Sequence, residues 1–102
     1  MIIIVSKTYK LTNEFISLKD EIKIIDSEVE IIDDAYLKHN GELINYDYLI
    51  SDDYTLLNNI NNAHVLLDDL KPLTNFYQQT SIDNIYYGNI DISIKHILKG
   101  DE

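Results

Sequence analysis

The sequence predicts an α/β fold: a single three-layer domain built on a mostly parallel sheet of about five strands, with one β-hairpin inserted. Three observations carry that expectation. Residues 2–5 read IIIV, a continuous β-branched run of the kind a parallel sheet buries on both faces. Residues 39–42 read HNGE, and Asn40-Gly41 is the preferred pair for a two-residue type I′ turn, because both positions take positive φ. From residue 46 onward, short apolar runs alternate with helix-spaced ones, the rhythm of strand–helix–strand units. At 102 residues the chain (1–102) is long enough for one domain to bury a core without covalent staples.

Taken in order, Thr12 can cap a helix whose apolar positions Phe15, Leu18 and Ile22 fall at helical spacing. Ile22–Ile25 offers a second strand, and Val29–Ile32 a third or its continuation. Counting back from the Asn40-Gly41 turn sets His39 opposite Glu42, Leu37 opposite Ile44 and Ala35 opposite Tyr46. Ile44, Tyr46, Tyr48 and Ile50 then share one face by period-two alternation. The same register would oppose Asp34 to Asp47, so the ladder should break near Asp33-Asp34. Tyr46–Ile50 reads as a strand, followed by a helix capped by Ser51 or Asp52 and carrying Leu56, Leu57 and Ile60. His64–Leu67 reads as the next strand, and Pro72 suits the first turn of a short helix with Leu73, Phe76 and Tyr77. Ile85–Tyr87 is the last strand, and Asp91 can cap a final helix with Ile94, Ile97 and Leu98 on one stripe, closing at Lys99 and Gly100.

Composition narrows the function classes. Without cysteine there are no disulfides, thiolate–metal sites or cysteine nucleophiles. No apolar run approaches the roughly 20 residues that span a bilayer, and MIIIVSKTYK does not resemble a secretory signal, which points to a cytoplasmic protein. Eighteen acids stand against eight basic residues, all lysine, for a formal net charge of −10. A field of that sign repels polyanions, and arginine, the usual fork for phosphate and base edges, is absent. Direct nucleic-acid binding and docking on an anionic membrane are therefore not expected; basic proteins and cations are the natural partners. Abundant Ile, Lys, Asn and Tyr, as in NNINN (58–62), follow AT-rich codon usage and suggest a low-GC bacterium or its phages.

The candidate site comes from a near-repeat. YLISDDYTLL (48–57) and HVLLDDLKPL (64–73) each place an apolar run before paired aspartates, sixteen residues apart. In a right-handed βαβ unit the two runs would be parallel neighbours. Asp52, Asp53, Asp68 and Asp69 would then share the carboxyl edge where open α/β sheets bind ligands, with Ser6, Lys7, Asn89 and Asp91 along it. Four such carboxylates could hold Mg²⁺ or Ca²⁺ for phosphate chemistry. The simpler account is that each pair starts a helix, accepting from its free N–H groups. His39, His64 and His96 show no catalytic spacing, and Gly41, Gly88 and Gly100 build no phosphate-cradling loop.

Two partial resemblances touch these residues. HNGELINYDYLI (39–50) resembles the hairpin and strand of flavin-dependent pyridine-nucleotide-disulfide oxidoreductases, where a glycine turn leads to a Tyr-Asp-Tyr-Leu-like strand. That family continues with Ala-Thr-Gly, where this chain has Ser51-Asp52-Asp53, and its glycine-rich first turn is replaced by SKTYK, so flavin binding is not implied. The strand–helix rhythm is similar to a response-regulator receiver, but Ser6-Lys7 stand where receivers need an acidic pair.

The expectation that follows is a small acidic protein-binding module, phage- or mobile-element-encoded, that inhibits or regulates a basic partner. It would present Asp52, Asp53, Asp68, Asp69, Asp91 and Tyr54 to a site that normally holds nucleic acid, acting as a nucleic-acid mimic. The alternatives are a Mg²⁺-dependent phosphate-chemistry enzyme or sensor on the four-aspartate edge, and a homodimer formed through the exposed hairpin edge.

Overall fold

The computed structural model describes residues 1–100. In chain order its elements are β1 (Ile2–Val5), a 3-10 turn (Ile16–Leu18), β2 (Ile22–Ile25), β3 (Glu30–Ile31), β4 (Tyr36–His39), β5 (Glu42–Asn45) and β6 (Tyr48–Ser51). There follow α1 (Tyr54–Leu57), β7 (Leu67–Asp68), β8 (Lys71–Pro72), β9 (Ile85–Tyr87) and α2 (Ile90–Gly100). The fold is mixed α/β: four strands form a parallel sheet in the order β2-β1-β6-β9, accompanied by antiparallel sheets β3-β4-β5 and β7-β8 and by two helices.

The apolar runs account for the central sheet. β1 lies between β2 and β6, with Ile4 beside both Ile24 and Ile50, and all four of its side chains are buried. Successive residues point to opposite faces. Ile3, Val5, Leu49 and Ile85 pack on one face against Ile31, Leu37, Tyr46 and Leu57; Ile2, Ile4, Ile50 and Tyr86 pack on the other against Phe15, Ile94 and Ile97.

The hairpin follows the expected register, with Leu37 opposite Ile44 and His39 opposite Glu42. Asn40 and Gly41 take φ of 52° and 80° at its turn. β3 adds a third strand through Ile31 opposite Leu37, which carries both side chains into the core. The chain turns just before β4, where the Asp33 carboxylate accepts from the N–H groups of Ala35 and Tyr36. The expected single face from Ile44 to Ile50 does not hold, because Ile44 and Tyr46 belong to one side of the sheet and Tyr48 and Ile50 to the other. Asp47 marks the crossing: its carboxylate pairs with the Met1 amine and its N–H donates to the Met1 carbonyl at 2.9 Å, redirecting the chain into the parallel sheet.

Three expected elements are corrected. The helix after Thr12 shrinks to the single 3-10 turn, since isolated helices below about 12–15 residues are marginal in water without tertiary support. The strand at His64–Leu67 does not join the parallel sheet, which has four strands rather than about five. α1 has only four residues, and Ile60, expected on it, lies beyond its end. The chain reverses instead at Asp69 and Leu70, with φ of 50° and 70°, so that Leu67 faces Pro72 across the β7–β8 hairpin. Pro72 consequently sits in a strand, and the expected short helix over residues 73–77 does not form.

Candidate carboxyl-edge site

β1, β2, β6 and β9 run parallel, so their carboxyl ends open on one edge. From β1 the sheet extends to β2 on one side and to β6 and β9 on the other, which makes the β1/β6 junction the point where ligands of open α/β sheets bind. Three polar residues secure that junction. Buried Ser51 donates its hydroxyl to the Val5 carbonyl at 2.9 Å and accepts from the Asp53 N–H at 3.0 Å. Ser6 donates to the Asp52 carboxylate at 2.7 Å, and its Oγ accepts from the N–H groups of Thr8 and Tyr9 at 3.2 and 3.1 Å. The first loop is thereby closed by a side chain where a glycine-rich loop would leave backbone N–H groups free for phosphate.

Asp53, rather than Ser51 or Asp52, caps α1, accepting from the Thr55 N–H at 3.0 Å and the Thr55 hydroxyl at 2.6 Å. The hydroxyl bond first, then the backbone donors and the charge of Lys7, hold its carboxyl below the usual range against the opposing effect of burial. Asp52 and Asp53 form one wall of a cleft of about 830 Å³. Asp26, Glu28 and Glu30, from β2 to the start of β3, form the other; Val5, Ile25 and Ile31 line its apolar part, and Lys7 is the basic residue beside it. These three acids escaped the sequence reading, although Ile24-Ile25-Asp26 repeats the same strand-then-acid phrase as Leu49–Asp52.

The other expected site residues lie elsewhere. Asp68 and Asp69 belong to the β7–β8 hairpin, because β7 is not a parallel neighbour of β6; the two aspartate pairs therefore do not share an edge as expected. Their elements do touch. The Asn58 side-chain amide at the end of α1 donates to the Leu70 carbonyl at 2.8 Å, and Lys71 Nζ lies 5.6 Å from the Tyr54 ring centroid. Among the described residues no group of three or more His, Asp or Glu side chains is disposed to hold a metal ion. Asp91 lies in the first turn of α2 but does not cap it: the Asn89 side chain accepts from the Ile92 N–H at 3.0 Å, while Asp91 accepts from the Tyr9 hydroxyl at 2.8 Å. That bond ties the loop after β1 to the start of α2 and leaves Asp91 on the edge expected for it. His39 meets the Ser27 hydroxyl at 2.7 Å, and His96 stacks on Tyr77 while its Nδ1 meets the Tyr86 hydroxyl at 2.7 Å.

Two tyrosines link this architecture to pH. Burial, and then the hydrogen bond and charge of Asp91, raise the Tyr9 phenol well above its ordinary value near 10. Burial, then the charges of Asp33 and Asp34, do the same for Tyr46, whose hydroxyl donates to the Asp33 carbonyl at 2.5 Å. A phenol held neutral in the fold stabilises fully below the unfolded value, and that contribution is lost as pH rises from there through the folded value. Urea midpoints should therefore fall above about pH 10. They should fall less in Tyr9→Phe/Tyr46→Phe, which lacks these phenols; equal slopes would refute the assignment.

Compared with protein-family models, curated proteins and solved structures, the chain matches none. Among the described residues no helix is long and apolar enough to cross a membrane.

Proposed function

We propose that this chain works by binding another protein, as an acidic inhibitor or regulator whose carboxyl-edge cleft receives a lysine- or arginine-bearing segment of a basic partner. The observation that carries the reading is the cleft wall, where Asp26, Glu28, Glu30, Asp52 and Asp53 gather beside one lysine, Lys7. Carboxylates around an apolar lining suit a long cationic side chain, whose methylene stem packs while its charged end is neutralised. A partner site built for nucleic acid would present such side chains, so occupying it would mask that site. Asp68 and Asp69 stand outside the cleft, on the β7–β8 hairpin that meets α1 at Tyr54 and Asn58. They would add a second acidic contact for the same partner, as would Asp91 at the start of α2.

Affinity capture from a low-GC bacterial lysate, at low ionic strength and then across a salt gradient, tests the reading. The expected result is a basic partner released by moderate salt, because exposed charge contacts are screened beyond about 8–10 Å at physiological ionic strength. Retention only of acidic or neutral proteins would sink it.

A further inference from the structure

The segment from Leu66 to Phe76 carries large apolar side chains in an ordered but unburied state. Leu66, Leu67, Leu70 and Leu73 are all exposed, and Phe76 is 95 % exposed. The segment is not a frayed loop. The Leu73 N–H donates to the Leu66 carbonyl and the Leu66 N–H to the Ser81 hydroxyl, both at 2.8 Å. The Asn75 carboxamide accepts from the N–H groups of Tyr77 and Gln79, closing a turn with Phe76 on its outside. In the hairpin register Leu66 and Leu73 fall opposite each other, on the same face as Asp68 and Lys71. Leu70 occupies a left-handed position, φ 70°, that glycine or asparagine would take more easily, and its 76 % exposed side chain gains nothing from the core.

We infer that the β7–β8 hairpin and the turn after it are the apolar anchor of the partner interface, fitted to an amphipathic segment whose apolar face is bordered by lysine or arginine. The inference rests on the reading above and adds a second contact to it. Charge decides among occupants. Asp68 and Asp69 stand at the hairpin, and its lysine, Lys71, already lies over the Tyr54 ring. A second copy would bring another net charge of −10 against this face, and an anionic membrane would meet the same repulsion. A cationic amphipathic segment satisfies both the apolar side chains and their acidic border, and a hairpin already set in place loses little freedom on binding.

Two labelled peptides of equal length and charge provide the test: an amphipathic helix of leucine and lysine, and a serine–lysine peptide. Fluorescence anisotropy should show the wild-type chain binding the leucine–lysine peptide at least about tenfold tighter, a difference of about 1.4 kcal/mol. In Leu70→Gly/Phe76→Ser that preference should vanish while serine–lysine binding stays unchanged. Both substitutions spare the fold, since glycine suits φ 70° and residue 76 lies in solvent, and circular dichroism checks this. An unchanged preference in the variant would overturn the inference. So would a dimer in sedimentation that the variant dissolves, which would assign the surface to a second copy. Failure of both peptides to bind wild type at low salt would instead remove the basic-partner reading itself.

Discussion

Alanine at Ile50 is expected to lower unfolding free energy by about 2–5 kcal/mol, a large share of the roughly 5–15 kcal/mol that stabilises a typical domain. Ile50 is fully buried at the middle of β6, beside Ile4 on one strand and Tyr86 on the other. Its side chain packs with Ile94 and Ile97 of α2 and with Phe15. Truncation removes the transfer energy of the lost atoms and leaves a cavity that a parallel sheet, held by neighbours on both sides, closes poorly. The matched control is Leu43→Ala in the hairpin, where a 58 % exposed leucine should change stability by no more than about 0.5 kcal/mol. Urea unfolding monitored by circular dichroism measures both. A loss below about 1 kcal/mol at Ile50 would mean that the β6 core is not packed as described.

Converting Asp52, Asp53, Asp68 and Asp69 together to asparagine should weaken capture of the basic partner at least about tenfold at low ionic strength and flatten its salt dependence. The variant keeps its shape for identifiable reasons. Asparagine at position 52 retains an oxygen for the Ser6 hydroxyl, at position 53 it remains a good helix cap, and at position 69 it suits a positive φ. What changes is charge: four of the ten net negative charges disappear. A second variant, Glu14→Gln/Asp20→Asn/Glu42→Gln/Asp83→Asn, removes the same charge from exposed residues that do not line the cleft. Contact at the cleft and hairpin requires the first variant to lose much more than the second. Equal losses would assign binding to the field of the whole molecule and remove the surface from the account.

Legibility varied along the chain with the range of the forces involved. Asn40-Gly41 announced its hairpin because the turn depends on two φ angles and the register follows by counting. IIIV announced a doubly buried strand for a similarly local reason. HVLL, in contrast, has the composition of a buried strand yet contributes just one residue, Leu67, to an outlying hairpin strand. Nothing within those four letters records whether the chain returns them to the sheet. The aspartate pairs show the same limit. Each follows an apolar run, but the first ends a sheet strand at the edge and the second stands at a hairpin turn with a leucine in the left-handed region, a conformation that composition does not suggest.

By itself the sequence determined the class of the fold, the hairpin and its register, the buried first strand and the sign of the molecular field, because each depends on neighbours in the chain or on simple charge. Tertiary structure alone decided which strands became neighbours, brought Asp26, Glu28 and Glu30 opposite Asp52 and Asp53, and left Leu70 and Phe76 in solvent. Those outcomes follow from where the chain can return after each short connection, a competition among long-range contacts that no local run of residues encodes.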